Sequence, residues 1–302
     1  MKEAGAITGM RVMVWIHANL GRSVFNVVLI PVISYFFLRQ GNARRASMDY
    51  LSRVESNYPG IFSGRSLTWL SFRHFLAFGH AMLDKYLVCM HAPADIAMDA
   101  EEEKQLYEVA VSGQGCLVIG SHFGNLEYSR SIANRHPGLV INVLMYDQHA
   151  ENFNALIRKS EPDSRMNLIQ VTDLDFELAL QLREKVQRGE WVIIAGDRVP
   201  VGEDKRVCKA VFFGEKASFP VGPYVLASLL HCPVYLLHCF RVEDNYQLAI
   251  EFFKDSIQLP GRDKQQAYEK AAQEFAGALE RQVVRNPLQW FNFYFFWENQ
   301  NS

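Results

Sequence analysis

The sequence predicts an α/β protein: an α/β/α sandwich with a mixed, mostly parallel sheet, preceded by a helical N-terminal region. Short apolar runs alternate with amphipathic segments from about residue 115 onward, which is typical of βαβ units whose sheet is covered on both faces. Residues 1 to about 90 are rich in Leu, Phe, Tyr and Trp and are interrupted by turn sequences at 58–60 (YPG) and 63–64 (SG), so we expect helices there. Hydrophobic residues make up 49% of the 302-residue chain and charged residues 21%, an ordinary globular balance.

The order of these elements along the chain follows from the hydrophobic pattern. The apolar runs predict strands at 115–120, 139–145, 167–171, 191–195, 234–240 and 246–253. The segments between them predict helices at 126–135, 150–159, 174–188, 221–231 and 263–284, and a polar helix at 101–111 precedes the first strand. Asp173 or Asp175 is the expected N-cap of the 174–188 helix, and Asp263 that of the last helix.

The change from helical to alternating pattern divides the chain into two predicted regions: a helical, basic N-terminal region over 1–95 and an α/β domain over 96–302. Residues 1–53 carry seven Lys or Arg and two Asp or Glu, a net charge of +5. The whole chain has a net charge of −2, so the remainder has −7. A basic, apolar N-terminus on an acidic body indicates an anionic surface such as the cytoplasmic leaflet of a membrane. The overall charge gives no support to a nucleic-acid partner.

The most apolar part of the N-terminal region is SVFNVVLIPVISYFFL, residues 23–38, between Arg22 and Arg39. As a helix it would be about 24 Å long, shorter than the ~30 Å hydrocarbon core of a bilayer. It also contains Asn, Pro and Ser, so we do not expect a clean membrane span, and no signal-peptide cleavage site follows it. A buried helix and an interfacial helix in the headgroup region remain as interpretations, and the flanking arginines favour the second.

The five cysteines are scattered and form no CxxC pair. This spacing argues against a disulfide framework or a zinc knuckle, and it favours a reducing compartment.

The stretch GSHFGNLE, residues 120–127, places polar side chains at the carboxyl end of a predicted strand. Ligands of open α/β sheets bind outside the carboxyl ends of the strands. Because Gly124-Asn125 predicts a turn, Glu127 in the next helix can reach back to one nitrogen of the His122 imidazole. Such a bond fixes the tautomer and raises the basicity of the other nitrogen, as a general base requires. Backbone N–H groups near Gly124 and Asn125 are candidates for stabilising an oxyanion.

The residues of this stretch also allow other interpretations. A lone histidine after a strand is often only structural, although the turn and the glutamate favour chemistry here. A zinc site usually has three protein ligands and the stretch offers two, so we expect no metal. Ser121 points to the face opposite His122, and Cys116 lies deep in the apolar strand, so neither is the expected nucleophile.

A second polar cluster, AGDR at 195–198, again follows an apolar strand. It places Asp197 and Arg198 at the same sheet edge as His122. Four cationic side chains are clustered here and predict binding of a phosphate or carboxylate: Arg198, Lys205, Arg206 and Lys209. The alternative is a solvated loop in which Asp197 and Arg198 pair with each other.

Two aromatic segments complete the pattern. VFFGEKASFPVGP, residues 211–223, predicts a tight chain reversal before a buried helix, and its phenylalanines form either plain core or a groove for a hydrocarbon tail. WFNFYFFW, residues 290–297, holds seven aromatics in eight positions. It either closes the core or forms an aromatic belt near lipid.

Several of these stretches together resemble one family. GSHFGNLE is similar to the H-x4-[D/E] motif of the glycerolipid and lysophospholipid acyltransferases, and more closely to the HFGNWE-type motif of the bacterial lipid A biosynthesis (lauroyl/myristoyl) acyltransferases. AGDR, VFFGEKASFPVGP and then CPVYLLHCFR at 232–241 follow in the order that this family uses, and the resemblance covers about residues 10–298. Leu126 stands where the lipid A enzymes usually have Trp, and the FPEGTR signature of the glycerolipid enzymes is absent. The implied acceptor is therefore a lipid or lipid-like hydroxyl compound rather than a lipid A precursor in particular.

The resemblance implies transfer of a fatty acyl group from an acyl carrier protein or coenzyme A thioester to a hydroxyl. It also implies a location at the cytoplasmic face of the bacterial inner membrane, with peripheral or N-terminal anchoring. By carry-over, His122 is the general base and Glu127 its partner. The residues that bind substrate or support the site are then Gly124, Asn125, Asp197 and Arg198. No cofactor is implied beyond the thioester donor.

Two alternative functions use the same residues. A thioesterase or lipid hydrolase would direct water instead of an alcohol at the acyl carbonyl. A non-catalytic lipid-binding protein would keep the fold and the groove and would tolerate loss of His122.

Overall fold

The chain divides into two compact units. A computed structural model describes residues 2–90, 96–97, 100–136, 138–145, 166–171, 175–199, 206–243, 245–258 and 263–297. The first unit comprises Met1–Leu87 and Pro287–Phe296, and the second comprises Val88–Asn286 and Trp297–Ser302. Residues 290–296 of the C-terminal aromatic segment therefore belong with the N-terminal helices, whereas Trp297 belongs with the second unit. A linear division into 1–95 and 96–302 does not anticipate this.

The first unit is helical, as predicted. Helix α1 spans Lys2–Arg39, α2 spans Gly41–Asn57 and α3 spans Leu67–Met90. The predicted turn sequences lie between α2 and α3. Helix α1 is kinked at Gly21, whose φ of 81° and ψ of 173° are not helical. Glycine adopts such a φ at no steric cost, so the kink lies where the sequence tolerates it.

Helix α1 buries one stripe and exposes the other. Its buried stripe repeats every four residues and packs against Phe75 and Leu83 of α3: Phe25, Leu29, Ile33 and Phe37. Gly79 of α3 admits this stripe, since a Cβ there would lie 3.0 Å from Ile33 Cδ1. The opposite stripe is apolar and exposed, and includes Val24, Val27, Ile30 and Leu38.

The exposed stripe bears on whether residues 23–38 form a buried helix or an interfacial one. Within the described chain, one helical segment, Val12–Arg39, is long and apolar enough to cross a membrane, and 22% of its most apolar window is buried. A core helix of a soluble protein would be mostly buried. This surface therefore suggests contact with a membrane.

The C-terminal segment closes the first unit through a buried polar chain. The Ser71 hydroxyl donates to Ser47 Oγ (2.9 Å), and Ser47 lies 2.9 Å from His74 Nδ1. His74 Nε2 lies 3.0 Å from the Trp290 carbonyl oxygen, which only accepts hydrogen bonds. Nε2 of His74 therefore carries a proton, and the side-chain polar atoms of Ser47, Ser71 and His74 are all hydrogen-bonded. Tyr50 adds a bond from its hydroxyl to the Pro287 carbonyl, 2.6 Å.

The second unit is built on a seven-stranded sheet of order β1-β9-β8-β2-β5-β3-β4. Its strands are β1 (Ile96–Ala97), β2 (Cys116–Gly120), β3 (Ile141–Met145), β4 (Met166–Gln170), β5 (Trp191–Ala195), β8 (Val234–Val242) and β9 (Asn245–Lys254). All neighbouring pairs are parallel except β8 and β9. The predicted fold class is confirmed, and each of the six predicted strands is present. The two-residue β1 was not predicted, because two apolar residues carry no periodicity.

Helices accompany this sheet as the sequence predicts. They are α4 (Ala100–Val111), α5 (Arg130–Arg135) after a 3-10 turn at Leu126–Ser129, α6 (Phe176–Gln187), α7 (Gly222–Leu230) and α8 (Lys264–Arg285). Asp175 caps α6 by accepting from the Leu178 N–H at 2.8 Å. Asp263 is at the N-cap position of α8 but its side chain makes no cap bond, so that part of the prediction is wrong. The predicted helix at 150–159 and the alternative cap Asp173 lie outside the described residues.

A separate antiparallel hairpin, β6 (Val207–Phe212) and β7 (Glu215–Pro220), forms where only a chain reversal was predicted. Its turn residues Phe213 and Gly214 both have positive φ, 48° and 76°, as a two-residue hairpin turn requires. The Gln273 side chain of α8 bonds both the N–H (2.7 Å) and the C=O (3.0 Å) of Val211. This long-range contact satisfies backbone groups at the edge of β6 and cannot be inferred from local sequence.

We predict that the His74 chain makes the first unit sensitive to acid. Burial lowers the pKa of His74 to about 4 from its ordinary 6.5, against the opposing effect of the Trp290 carbonyl. As pH falls, His74 takes up a proton in the unfolded chain at a higher pH than in the folded one. Its contribution to the free energy of unfolding is therefore complete above pH 6.5 and is lost as pH falls from 6.5 to about 4. Between pH 7 and pH 5 the loss is about 2 kcal/mol for this histidine.

Chemical denaturation at pH 7 and pH 5 measures the effect. His74→Gln is expected to reduce the difference between the two pH values by about 2 kcal/mol. His231→Gln, which removes a solvent-exposed histidine, is the control and should keep the wild-type difference. Equal pH dependence in wild type and His74→Gln would contradict a buried neutral histidine at this position.

Candidate functional site

The site lies where two neighbouring parallel strands end. Strand β2 is fully buried, and β5 pairs with it from Cys116–Trp191 to Gly120–Ala195. The Gly196 N–H continues the pairing by donating to the Gly120 carbonyl at 2.9 Å. The chain leaves β2 toward β3 on one side of this pair and leaves β5 toward β8 on the other. The carboxyl ends of β2 and β5 thus form a topological switch point, the usual ligand position in an open α/β sheet.

The loop after β2 is held against β8. Gly124 forms a parallel bridge with Cys239, and the Asn125 N–H donates to the Cys239 carbonyl at 2.6 Å. Gly124 has a φ of 72°, and a Cβ on it would lie 1.9 Å from that carbonyl oxygen. Only glycine fits at this position, so Gly124 determines where the loop lies.

The helical turn after this loop begins with a local side-chain bond. Asn125 Oδ1 accepts from the Glu127 N–H at 3.3 Å, as an Asx turn does. Leu126 packs over Gly120, where a Cβ would lie 2.8 Å from Leu126 Cδ2. Glu127 itself is half-buried in the first turn.

His122 and Asp197 form the central contact of the site. His122 Nδ1 lies 2.8 Å from Asp197 Oδ1, and the His122 backbone N–H donates to Asp197 Oδ2, also at 2.8 Å. Asp197 is buried, with 2% of its side chain exposed, whereas 36% of the His122 side chain is exposed. One carboxylate therefore holds both the main chain and the ring of the histidine, and the ring is open to an incoming molecule.

This arrangement assigns the tautomer of His122. An ionised carboxylate only accepts hydrogen bonds, so Nδ1 carries the proton. In the neutral ring, Nε2 then carries the lone pair. A histidine oriented in this way by a buried carboxylate can remove a proton from a hydroxyl or from water.

The structure thus brings together two residues that the sequence analysis placed in different roles. His122 was predicted as a base and Asp197 as a substrate-binding or supporting residue. The bond to an imidazole nitrogen that was predicted for Glu127 is made by Asp197, because β5 places a carboxylate next to Nδ1 and H-x4-E spacing does not. The sequence signal for Asp197 was its position directly after an apolar strand beside β2.

The other predicted residues have separate positions. Arg198 follows Asp197 and is exposed. Arg206 is exposed, Lys209 donates to Ser218 Oγ at 2.8 Å, and Lys205 lies outside the described residues. The Asn125 N–H donates to Cys239, so it is not the oxyanion donor that the sequence suggested. The substrate-binding roles of Gly124, Asn125 and Arg198 stay predictions.

We predict that Gly124→Ala displaces the loop. The added methyl group would collide with the Cys239 carbonyl and would also impose a left-handed φ on alanine, so the free energy of unfolding should fall by at least about 2 kcal/mol. Gly277→Ala is the matched control, since nothing lies within 4 Å of a Cβ at this α8 position. It should raise stability by about 0.5–1 kcal/mol. Thermal or urea unfolding measures both, and equal effects would contradict the close approach at Gly124.

Comparison with known proteins identifies the family of the chain. A search of curated proteins finds no match to the chain. The model of one protein family, described as the bacterial lipid A biosynthesis acyltransferases, matches residues 73–298, three quarters of the chain. That segment includes β2, β5, the His122 loop and Asp197. The chain belongs to the bacterial lipid A biosynthesis acyltransferase family.

Proposed function

We propose that this acyltransferase moves a fatty acyl group from an acyl carrier protein or coenzyme A thioester to a hydroxyl of a lipid or lipid-like acceptor, with His122 as general base. Family membership gives the acyl thioester donor and the lipid acceptor in general terms. The observation that carries the finer proposal is the pair of 2.8 Å bonds between Asp197 and His122. It leaves Nε2 as the basic nitrogen on a partly exposed ring at the switch point.

The reaction proceeds without a covalent acyl-enzyme in this proposal. Nε2 of His122 takes the proton of the acceptor hydroxyl as its oxygen attacks the thioester carbonyl. The tetrahedral intermediate then collapses, the carbon–sulfur bond breaks, and the imidazolium returns its proton to the departing thiolate. The products are an ester and a thiol, so protons and bonds balance. Asp197 stabilises the imidazolium that forms between the two proton transfers.

Two further residues have proposed roles near this centre. Arg198 directly follows Asp197 and is exposed, so its guanidinium is a candidate for a phosphate of the donor's phosphopantetheine or of the acceptor. Glu127, the acid of the H-x4-E motif, lies in the first helical turn after the loop. We retain it as a catalytic candidate whose contribution is separable from that of Asp197 by mutation.

We also propose a peripheral location at the cytoplasmic face of the bacterial inner membrane. The exposed apolar stripe of α1 supports contact with the hydrocarbon boundary, and the basic charge of residues 1–53 supports contact with anionic headgroups. The opposite stripe packs on α3, and Arg22 of α1 pairs with the buried Asp84 of α3 at 3.2 Å. A helix that is packed on one side suits the interfacial interpretation better than an isolated span.

An acyl-transfer assay tests the proposed chemistry. Purified protein is given acyl carrier protein and coenzyme A thioesters with a membrane lipid extract, and mass spectrometry detects lipids that gain an acyl mass. His122→Gln should abolish the product, and Asp197→Asn should lower kcat by about 10²–10⁴-fold because it removes the charge but keeps the shape. Glu127→Gln is the matched neutral variant of the second carboxylate.

The three variants together assign the carboxylate roles. A larger loss in Asp197→Asn than in Glu127→Gln supports Asp197 as the partner of the base, and the reverse order would return that role to Glu127. Free fatty acid as the sole product would indicate a hydrolase. Unchanged acyl transfer in His122→Gln would overturn His122 as the base.

A liposome flotation assay tests the membrane surface. Val27→Glu with Ile30→Glu places charges on the exposed stripe of α1 and should weaken binding to anionic vesicles at least about tenfold, because two apolar side chains no longer enter the bilayer. Phe176→Glu with Leu180→Glu is the control, since these side chains are also exposed but lie on α6. Equal loss in both pairs, or no loss in the first, would contradict membrane contact through α1.

A further inference from the structure

His238 is a buried polar side chain whose presence the packing of the sheet does not explain. It lies on β8 with 1% of its surface exposed, and neither ring nitrogen has a hydrogen-bond partner among the described residues. A buried polar group without a partner lowers the stability of a fold. A phenylalanine would occupy similar space on this strand without that cost.

His238 lies close to the loop that carries His122. Strand β8 runs parallel to β2 with Ile119 opposite Leu236, and His238 lies two residues further along, toward the carboxyl end of the pair. Its ring meets the ring of Phe123 at a centroid distance of 6.3 Å. Phe123 directly follows His122, and Cys239, the residue after His238, holds the loop through its carbonyl.

The charged groups that act on His238 are Asp197 and Arg281. Burial is the largest influence and lowers the pKa of His238 to about 4, while Asp197 raises the pKa and Arg281 lowers it. Arg281 lies on α8 and is paired with Glu251 at 2.9 Å. His238 is therefore neutral at physiological pH, with one N–H donor and one lone pair, and it lies within the electrostatic influence of the buried Asp197.

We propose that His238 is a positioning residue of the site, whose neutral imidazole dipole stabilises the Asp197 carboxylate and so keeps His122 in its basic form. This inference rests on the proposed function of His122. Asp197 has almost no access to water, so neighbouring dipoles must replace the solvation that an ionised carboxylate requires. The neutral imidazole of His238 provides such a dipole, and an apolar ring in its place would not.

Loss of this dipole would change the pH at which the Asp197–His122 pair takes up a proton, and the direction of the change follows from charge. The Asp197–His122 pair has one negative charge before proton uptake and no net charge after it. A less polar surrounding favours the second state, so the pair would take up its proton at higher pH. The acid limb of the pH–rate profile would then move upward, and the base would be partly protonated at neutral pH.

The test is the titration of the His122 ring, followed by NMR in protein with ¹³C-labelled histidine and assigned by the signal that His122→Gln removes. In His238→Phe the midpoint should rise by about one pH unit, a tenfold change in the protonation ratio. His238→Asn supplies a neutral dipole that does not titrate and should keep the midpoint near that of the wild type. The acid limb of kcat in the acyl-transfer assay should move with the NMR midpoint, while the KM for the donor stays within about twofold.

Tyr224→Phe is the matched control. Tyr224 is fully buried on α7, and its hydroxyl also has no partner among the described residues. The substitution removes a buried polar atom elsewhere in the same unit, so the melting temperature should rise by about 2–4 °C with no change in the His122 midpoint. The effect on the base is then separable from a general gain in stability.

The possible results divide clearly. An unchanged His122 midpoint in His238→Phe, with a raised melting temperature, would overturn the proposal and make His238 a core residue. His238→Met provides a second apolar variant and is judged by the same midpoint if His238→Phe does not fold. A raised midpoint in protein that transfers no acyl group would uphold the coupling to Asp197 and overturn the proposed function instead.

Discussion

The site depends on one carboxylate that binds two parts of the same histidine. Asp197 accepts from both the backbone N–H and the ring Nδ1 of His122. The first bond fixes the main chain of the loop and the second fixes the ring and its tautomer. Because Asp197 is almost completely buried, water does not compete for these bonds, and each is stronger than it would be at the surface.

The two hydrogen bonds from His122 to Asp197 follow from the way in which paired parallel strands end. The β2–β5 pairing is in register up to Gly120 and Ala195, and the Gly196 N–H continues it beyond the sheet. The next residues of both strands therefore meet at the same level. A Cβ on Gly196 would lie 2.6 Å from Ile119 Cγ2, so the chain that leads to Asp197 runs close against the Ile119 side chain of β2. On the other side, β8 holds the His122 loop through Cys239, and the two strands position the loop from both sides.

The two compact units each contain a fully buried histidine, and the two histidines differ in their surroundings. In the first unit the chain from Ser71 to Trp290 pairs every hydrogen-bonding atom of His74, so the histidine joins the C-terminal segment to α3. In the second unit neither ring nitrogen of His238 has a hydrogen-bond partner in the described part of the chain, and its ring meets that of Phe123, the residue after His122. Fully paired buried groups give structural specificity, whereas an unpaired one lowers stability and calls for a functional reason.

The sequence by itself determined the elements of this protein and the loop that carries the base. Apolar runs bounded by turn residues predicted all six longer strands of the main sheet, and the polar residues of GSHFGNLE at the end of one run predicted His122 as the base. Local periodicity and turn chemistry contain that information, because they act between neighbours in the chain. The sequence did not predict the hairpin of β6 and β7. The backbone groups of Val211 at the edge of β6 bond to Gln273, more than sixty residues away, and a local pattern does not contain such a contact.

Tertiary structure alone decided which carboxylate meets the histidine. Glu127 is five residues from His122 and Asp197 is seventy-five, so spacing along the chain favoured Glu127. The pairing of β2 with β5 brings Asp197 to the ring instead, because adjacent parallel strands have their carboxyl ends in one place whatever their separation in sequence. The contact of His238 with Phe123, the residue after His122, has the same origin, since β8 is the other neighbour of β2 and the sequence around either residue does not show which strands are adjacent.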